Sequence, residues 1–102
     1  MNEHVTIREF NVETILAERR KVHGDFDVHA HITQKLKAAM RSDVIAKSNY
    51  PDLLSVSQCE ALEMIQHKIG RILAGDPSHI DHWDDIAGYA TLVANALRRG
   101  MK

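Results

Sequence analysis

Apolar residues recur every three or four positions through most of this chain, and this spacing is the strongest constraint on its fold. In the most strongly patterned segment the apolar residues share one side of a helical projection, and these are Leu62, Ile65, Ile69, Ile72 and Leu73. Only two prolines and five glycines interrupt the 102 residues. The sequence therefore predicts a single all-α domain over residues 1–102.

Helix-start and helix-stop signals divide this domain into four helices, at about 6–23, 27–40, 57–74 and 78–99. Capping-box strings begin at Thr6 and Ser57, and Ser78 can cap the last helix. Residues 42–56 contain the turn-forming string KSNYPDLLSV and are predicted to be a loop. Because residues 75–80 form a short connection, the last two helices should pack as an antiparallel hairpin within a four-helix bundle.

Composition and charge exclude several functional classes. The net charge is −1 with neutral histidines, so no broad basic field is available to bind a nucleic acid polymer. No stretch approaches the roughly 20 apolar residues of a membrane span, and the charged start MNEHVTIREF does not resemble a signal peptide. The single Cys59 cannot form an internal disulfide or a cysteine-based zinc cluster. We therefore expect a soluble, cytoplasmic protein.

The third and fourth predicted helices each carry a second, polar side. Opposite its apolar stripe the third helix presents Glu60, Glu63, His67 and Arg71. This side is either a solvated face with weak i,i+4 pairs or part of a site. The fourth helix has Trp83, Ile86, Ala90, Val93 and Leu97 on its predicted core side, and Asp81, Asp85, Gly88 and Leu92 on the other. A glycine inside a helix costs about 1 kcal/mol relative to alanine, so Gly88 predicts close approach of another backbone or a ligand.

Carboxylates that meet on one side of the hairpin would repel each other unless a cation lay between them. Hard divalent cations prefer such oxygen ligands, and magnesium binds through a few carboxylates together with substrate phosphates. Lys68 and Arg71 are placed to receive phosphate oxygens. The pattern favours metal-assisted hydrolysis of a phosphoanhydride.

The string Glu60-Ala-Leu-Glu63, followed after a gap by Asp81-His-Trp-Asp84-Asp85, resembles the ExxE and ExxD motifs of MazG-like nucleoside triphosphate pyrophosphohydrolases. The longer strings at 15–26 and 60–92 resemble a small phage and prophage family without an assigned function. The first resemblance implies a helical dimer or tetramer that releases pyrophosphate from nucleoside triphosphates, with magnesium held by the motif carboxylates.

Carried over by position, this resemblance implies catalytic roles for Glu60, Glu63 and Asp85 and a metal-binding role for these three together with Asp81. Manganese could replace magnesium. The pattern departs from the family where His82, instead of an acid, stands three residues before Asp85. Two registers therefore remain open, Asp81 with Asp85 or His82 with Asp84.

Other polar residues leave further alternatives. Arg19, Arg20, Lys21 and His23 either contact a triphosphate or base or simply complement the dipole of a helix C-terminus. His79 and His82 could join Asp81 in a transition-metal site. His29 and His31 are predicted to be surface residues, because i and i+2 positions do not share a helix face.

The leading hypothesis is a magnesium-dependent, MazG-like nucleoside triphosphate pyrophosphohydrolase in which Lys68, Arg71 and His67 contact substrate. A domain this small does not easily enclose a nucleotide, so we expect a homodimer or a higher homo-oligomer. The rival hypothesis is a non-catalytic, phage-derived helical protein that functions through self-association.

Overall fold

A computed structural model describes the backbone of residues 3–100 and the side chains of residues 11–100. It contains four α-helices: α1 (Glu3–His23), α2 (Phe26–Met40), α3 (Val56–Ala74) and α4 (Ile80–Arg98). No β-strand occurs between residues 3 and 100, where the pairing of Arg41 with Tyr50 is an isolated bridge. The all-α class and the four predicted helices are confirmed. No helix in this range is long and apolar enough to cross a bilayer.

The third helix is the centre of the molecule. It packs against α2 on one side and against α4 on another, while α1 makes smaller contacts with α2 and α3. Because a short connection joins α3 to α4, the two helices run antiparallel, and the predicted hairpin is confirmed. The loop between α2 and α3 folds back on α2, with the amide of Ser42 donating to the carbonyl of Tyr50 at 2.9 Å.

The predicted helix caps are wrong at three helices. At α3 the N-cap is Ser55, whose Oγ accepts from the amide of Gln58 at 3.1 Å while Gln58 Oε1 accepts from the amide of Ser55 at 3.0 Å. Ser57, the predicted cap, lies inside the helix. The first helix begins at Glu3, before Thr6, and α4 follows His79, whose side chain makes no cap bond, in place of Ser78.

Two close turns hold the helix ends together. Gly24 follows α1 with a φ of +81°, the left-handed conformation that favours glycine at a helix C-terminus. A Cβ built on Gly24 would clash with Ala74, and one built on Gly75 would clash with the carbonyl of Val22. The amide of Asp76 donates to that same carbonyl at 2.9 Å. The C-terminal ends of α1 and α3 and the N-terminal end of α2 therefore meet in one region.

Among the described side chains, the most deeply buried ones are mostly polar. The buried polar or charged residues are His29, Thr33, Gln66, Lys68 and His82, whereas the buried hydrophobic residues, among the described side chains, are Tyr50 and Ala61. The apolar side of α3 and α4 that the periodicity predicted as core is only partly covered, and Leu73, Trp83 and Leu97 remain 66%, 51% and 50% exposed. Within the single chain the prediction that this side is core is therefore confirmed only in part, since Leu62, Ile65 and Ile69 are half-buried.

Candidate functional site

The region where the helix ends meet contains a pocket of about 390 Å³. Its lining combines three guanidinium groups, two imidazoles, two carboxylates and two large apolar side chains, from Arg19, Arg20, Arg71, His23, His29, Asp25, Asp27, Leu16 and Phe26. We call it the cationic pocket. It draws these groups from α1, α2 and α3, so the fold assembles it from three separate segments.

Helix ends explain why cationic groups gather there. Arg20 and His23 lie in the last turn of α1, and Arg71 lies in the last turn of α3. The carbonyl ends of both helices carry partial negative charge, which favours cations. Asp25 caps the start of α2, where its Oδ1 accepts a hydrogen bond from the amide of Asp27 at 2.9 Å. The positive groups of the pocket therefore outnumber the carboxylates that face them.

His23 links the cationic pocket to the interior of the hairpin. Its Nδ1 lies 3.3 Å from Nε2 of His82, and that same Nε2 lies 3.3 Å from the carbonyl oxygen of Val22. Burial, followed by the charge of Arg71, lowers the pKa of His23 to about 4. Burial also lowers the pKa of His82, whose side chain is only 1% exposed. Both imidazoles are therefore neutral at physiological pH.

A second histidine pair lies between α2 and α3. His29 Nε2 and His67 Nδ1 are 3.3 Å apart, and the rings meet edge to face. Burial and then the Arg71 guanidinium lower the pKa of His29, while burial and then Lys37 lower the pKa of His67. A neutral imidazole retains one donor and one acceptor nitrogen. In each pair, one ring can therefore donate its N–H to the acceptor nitrogen of the other. The prediction that His29 is a surface residue is wrong, whereas His31 is exposed as predicted.

The structure does not bring the four predicted metal-binding carboxylates together. Asp85 pairs with the buried Lys68 at 2.9 Å, Glu63 lies 4.0 Å from Lys37, and Asp81 lies 3.5 Å from His79. The hydrogen bond from Lys68 holds the pKa of Asp85 below its usual value. Glu60 is exposed.

Helix register explains this separation. The contact between Lys68 and Asp85 fixes how the antiparallel helices α3 and α4 align. At 1.5 Å per residue, Glu60 then lies about 18 Å along the hairpin from Asp81. Between residues 3 and 100, no three His, Cys, Asp or Glu residues are grouped as a metal site, including His79, Asp81 and His82.

The three predicted phosphate-binding residues have different surroundings. Arg71 lines the cationic pocket. Lys68 is engaged by Asp85, and His67 is engaged by His29. Of the basic residues near the end of α1, Arg19, Arg20 and His23 line the pocket, whereas Lys21 is exposed outside its lining. Sequence reasoning missed His29 and Phe26, because nothing in their spacing relates α2 to the ends of α1 and α3.

Comparison with known proteins gives a family but no characterised relative. No curated protein and no solved structure matches this chain significantly. Residues 9–97 match the family described as a domain of unknown function, DUF6378. This match includes the residues of the cationic pocket and both helices of the hairpin. Since it covers most of the sequence, the chain belongs to the DUF6378 family.

Proposed function

We propose that this chain binds a phosphorylated small molecule, a nucleoside phosphate, in the cationic pocket. The observation that carries the proposal is the convergence of Arg19, Arg20 and Arg71 on one cavity. None of the three forms an ion pair with a side chain among residues 11–100. Guanidinium groups bind phosphate oxygens in a bidentate manner, so these groups are available to an anionic ligand.

The rest of the lining fits a nucleoside better than a bare anion. A volume of about 390 Å³ falls within the usual range for small-molecule sites. Phe26, which is 75% exposed at the pocket, offers a ring on which a base can stack. Asp25 and Asp27 offer carboxylate oxygens that accept hydrogen bonds from sugar hydroxyls or base amino groups. Phosphate would therefore lie toward the arginines.

The magnesium-dependent hydrolysis implied by the MazG-like motifs does not fit the residues as they are arranged. A magnesium site needs oxygen ligands that converge, and Glu60, Glu63, Asp81 and Asp85 are separated along the hairpin. Asp85 is moreover neutralised by Lys68. We therefore propose binding of the nucleoside phosphate and assign no residue to its hydrolysis.

The decisive experiment measures thermal stability with a panel of ligands. A ligand that binds only the folded state raises the melting temperature. We expect nucleoside triphosphates at 1 mM to raise the melting temperature more than inorganic phosphate does at the same concentration. The Arg71→Gln variant should lose this response. Arg98→Gln is the matched control, because Arg98 also lies in the last turn of a helix but contacts Asn95 and not the pocket.

Two outcomes would overturn this proposal. One is the absence of a shift for every phosphorylated ligand, and the other is an equal shift in the wild type and in a folded Arg71→Gln variant. The same samples should be assayed for pyrophosphate release with magnesium and with manganese. Release that depends on the metal and on Glu63 would restore the hydrolase hypothesis and require the carboxylates to rearrange.

A second candidate function is self-association without catalysis. It is favoured by the exposed apolar side of α3 and α4, which a single chain leaves uncovered. The two functions are compatible, since the cationic pocket lies at the end of the hairpin where α1 and α2 meet it.

A further inference from the structure

The chain exposes far more surface than a compact monomer of its size. Its accessible surface is 7670 Å² at a mass of 11.5 kDa. The size scaling of monomeric proteins gives about 5,800 Å² for this mass, which leaves an excess of about 1,900 Å². Stable complexes bury about 800 Å² on each partner, and obligate homodimers bury more. The excess is therefore as large as an obligate dimer interface.

This excess includes an apolar groove between α3 and α4. Leu62 and Ile65 of α3 and Ala90, Val93 and Leu97 of α4 line a cavity of about 410 Å³ that is open to solvent. No charged side chain is present among its lining residues. The groove coincides with the apolar stripes that the periodicity identifies as core, although the chain itself does not cover them. We call this surface the hairpin face.

We propose that a second copy of this chain packs its hairpin face against the first, so that the two α3–α4 hairpins form one four-helix bundle. A second copy fits because two-fold symmetry places the same surface on both sides of the interface. Since the hairpin face is uncharged, two copies bring no like charges together. The net charge of −1 also opposes association only weakly.

The packing rules of helical bundles support this arrangement. A bundle core requires apolar stripes on all four helices, and each hairpin contributes two stripes that lie side by side. The buried polar groups lie outside the lining of this groove: Lys68 pairs with Asp85, and His82 contacts His23 at the end of α1. Dimerisation would therefore supply the hydrophobic core that the described part of the single chain nearly lacks.

The test is the solution mass of the full chain and of one pair of variants. Light scattering coupled to size-exclusion chromatography should give twice 11.5 kDa for the wild type. Ala90→Glu should give the monomer mass, because Ala90 is exposed on the single chain and lies within the hairpin face. Asn95→Glu is the control: Asn95 is also exposed on α4, and it is turned about 140° around the helix from Ala90. This control should remain dimeric.

A second measurement keeps the proposal testable if Ala90→Glu fails to fold. The melting temperature of a wild-type dimer rises with protein concentration, whereas that of a monomer does not. A wild type that is monomeric at 100 µM, with a melting temperature independent of concentration, overturns the proposal. So does dissociation by Asn95→Glu with retention of the dimer in Ala90→Glu, because the interface would then lie elsewhere on α4.

Discussion

At the scale of single residues, two glycines inside helices have opposite surroundings. A Cβ built on Gly70 of α3 would lie 2.5 Å from Cδ2 of His29 and 2.8 Å from Cγ2 of Thr33. At Gly88 of α4, no atom of the described chain lies within 4 Å of such a Cβ. Gly70 therefore marks a close approach between helices. The predicted close approach at Gly88 is wrong within a single chain.

We expect alanine at these two positions to change stability in opposite directions. Gly70→Ala should lower the free energy of unfolding by up to about 2 kcal/mol, because overpacking a tight contact costs about 1–3 kcal/mol and the gain in helix propensity returns about 1. Gly88→Ala should raise it by up to about 1 kcal/mol, since only propensity changes. Urea denaturation of both variants measures the difference. A stabilising Gly70→Ala would contradict the close packing of α2 on α3.

Arg71 shows how far residue types and spacing predict a site. The sequence placed Arg71 among phosphate ligands because it lies on the polar side of α3, and the structure places it in the cationic pocket. No spacing or motif groups it with His29 or Phe26. Those neighbours come from α2, and their proximity depends on how the turns at Gly24 and Gly75 pack. Local patterns therefore predicted Arg71 and offered the basic end of α1 as an alternative, but they did not predict the contribution of α2.

At the scale of the helices, the start of α3 is fixed by one capping box. Ser55 and Gln58 exchange side-chain bonds with each other's amides. Ser57 and Glu60 have the same sequence form but lie within the helix. Two overlapping matches occur within three residues, and periodicity cannot choose between them. The existence of each helix could therefore be predicted, whereas several of the exact ends could not.

We expect the two serines to differ in their contribution to stability. Ser55→Ala should lower the free energy of unfolding by about 1 kcal/mol, because it leaves the amide of Gln58 without its acceptor. Ser57→Ala should leave stability unchanged or raise it slightly, since Ser57 is exposed inside α3 and alanine is the better helix former. Thermal or urea denaturation of the two variants checks this. A loss in Ser57→Ala without a loss in Ser55→Ala would indicate instead that Ser57 is the cap.

At the scale of the whole molecule, the chain places polar groups between its helices and leaves apolar stripes outside. The hydrophobic period correctly identified the apolar sides of α3 and α4, as the groove along the hairpin shows. The hydrophobic period does not predict whether the same chain or another one covers these sides, because it indicates only that a side is apolar. The prediction that the carboxylates converge was wrong for a related reason. Their distances depend on how α3 and α4 align, and contacts such as Lys68 with Asp85 set that alignment.

The polar interior should make the fold sensitive to mild acid. The pKa values of His23, His29, His67 and His82 are lowered in the folded chain, that of His23 to about 4, whereas unfolded histidine titrates near 6.5. Between these pH values the unfolded chain binds more protons, so stability is fully present above about pH 6.5 and is lost as the pH falls toward 4. The slope is at most about 1.4 kcal/mol per pH unit for each histidine. The pKa of Asp85 is also lowered, but its contribution to stability is lost only below the ordinary carboxylate range, so the two pH windows are distinct.

Urea denaturation at pH 7, 6 and 5 should show a steady loss of the free energy of unfolding. The His82→Gln variant should reduce this loss, whereas the exposed control His31→Gln should not. A flat profile across this range would mean that the histidine pairs accept protons without leaving the interior.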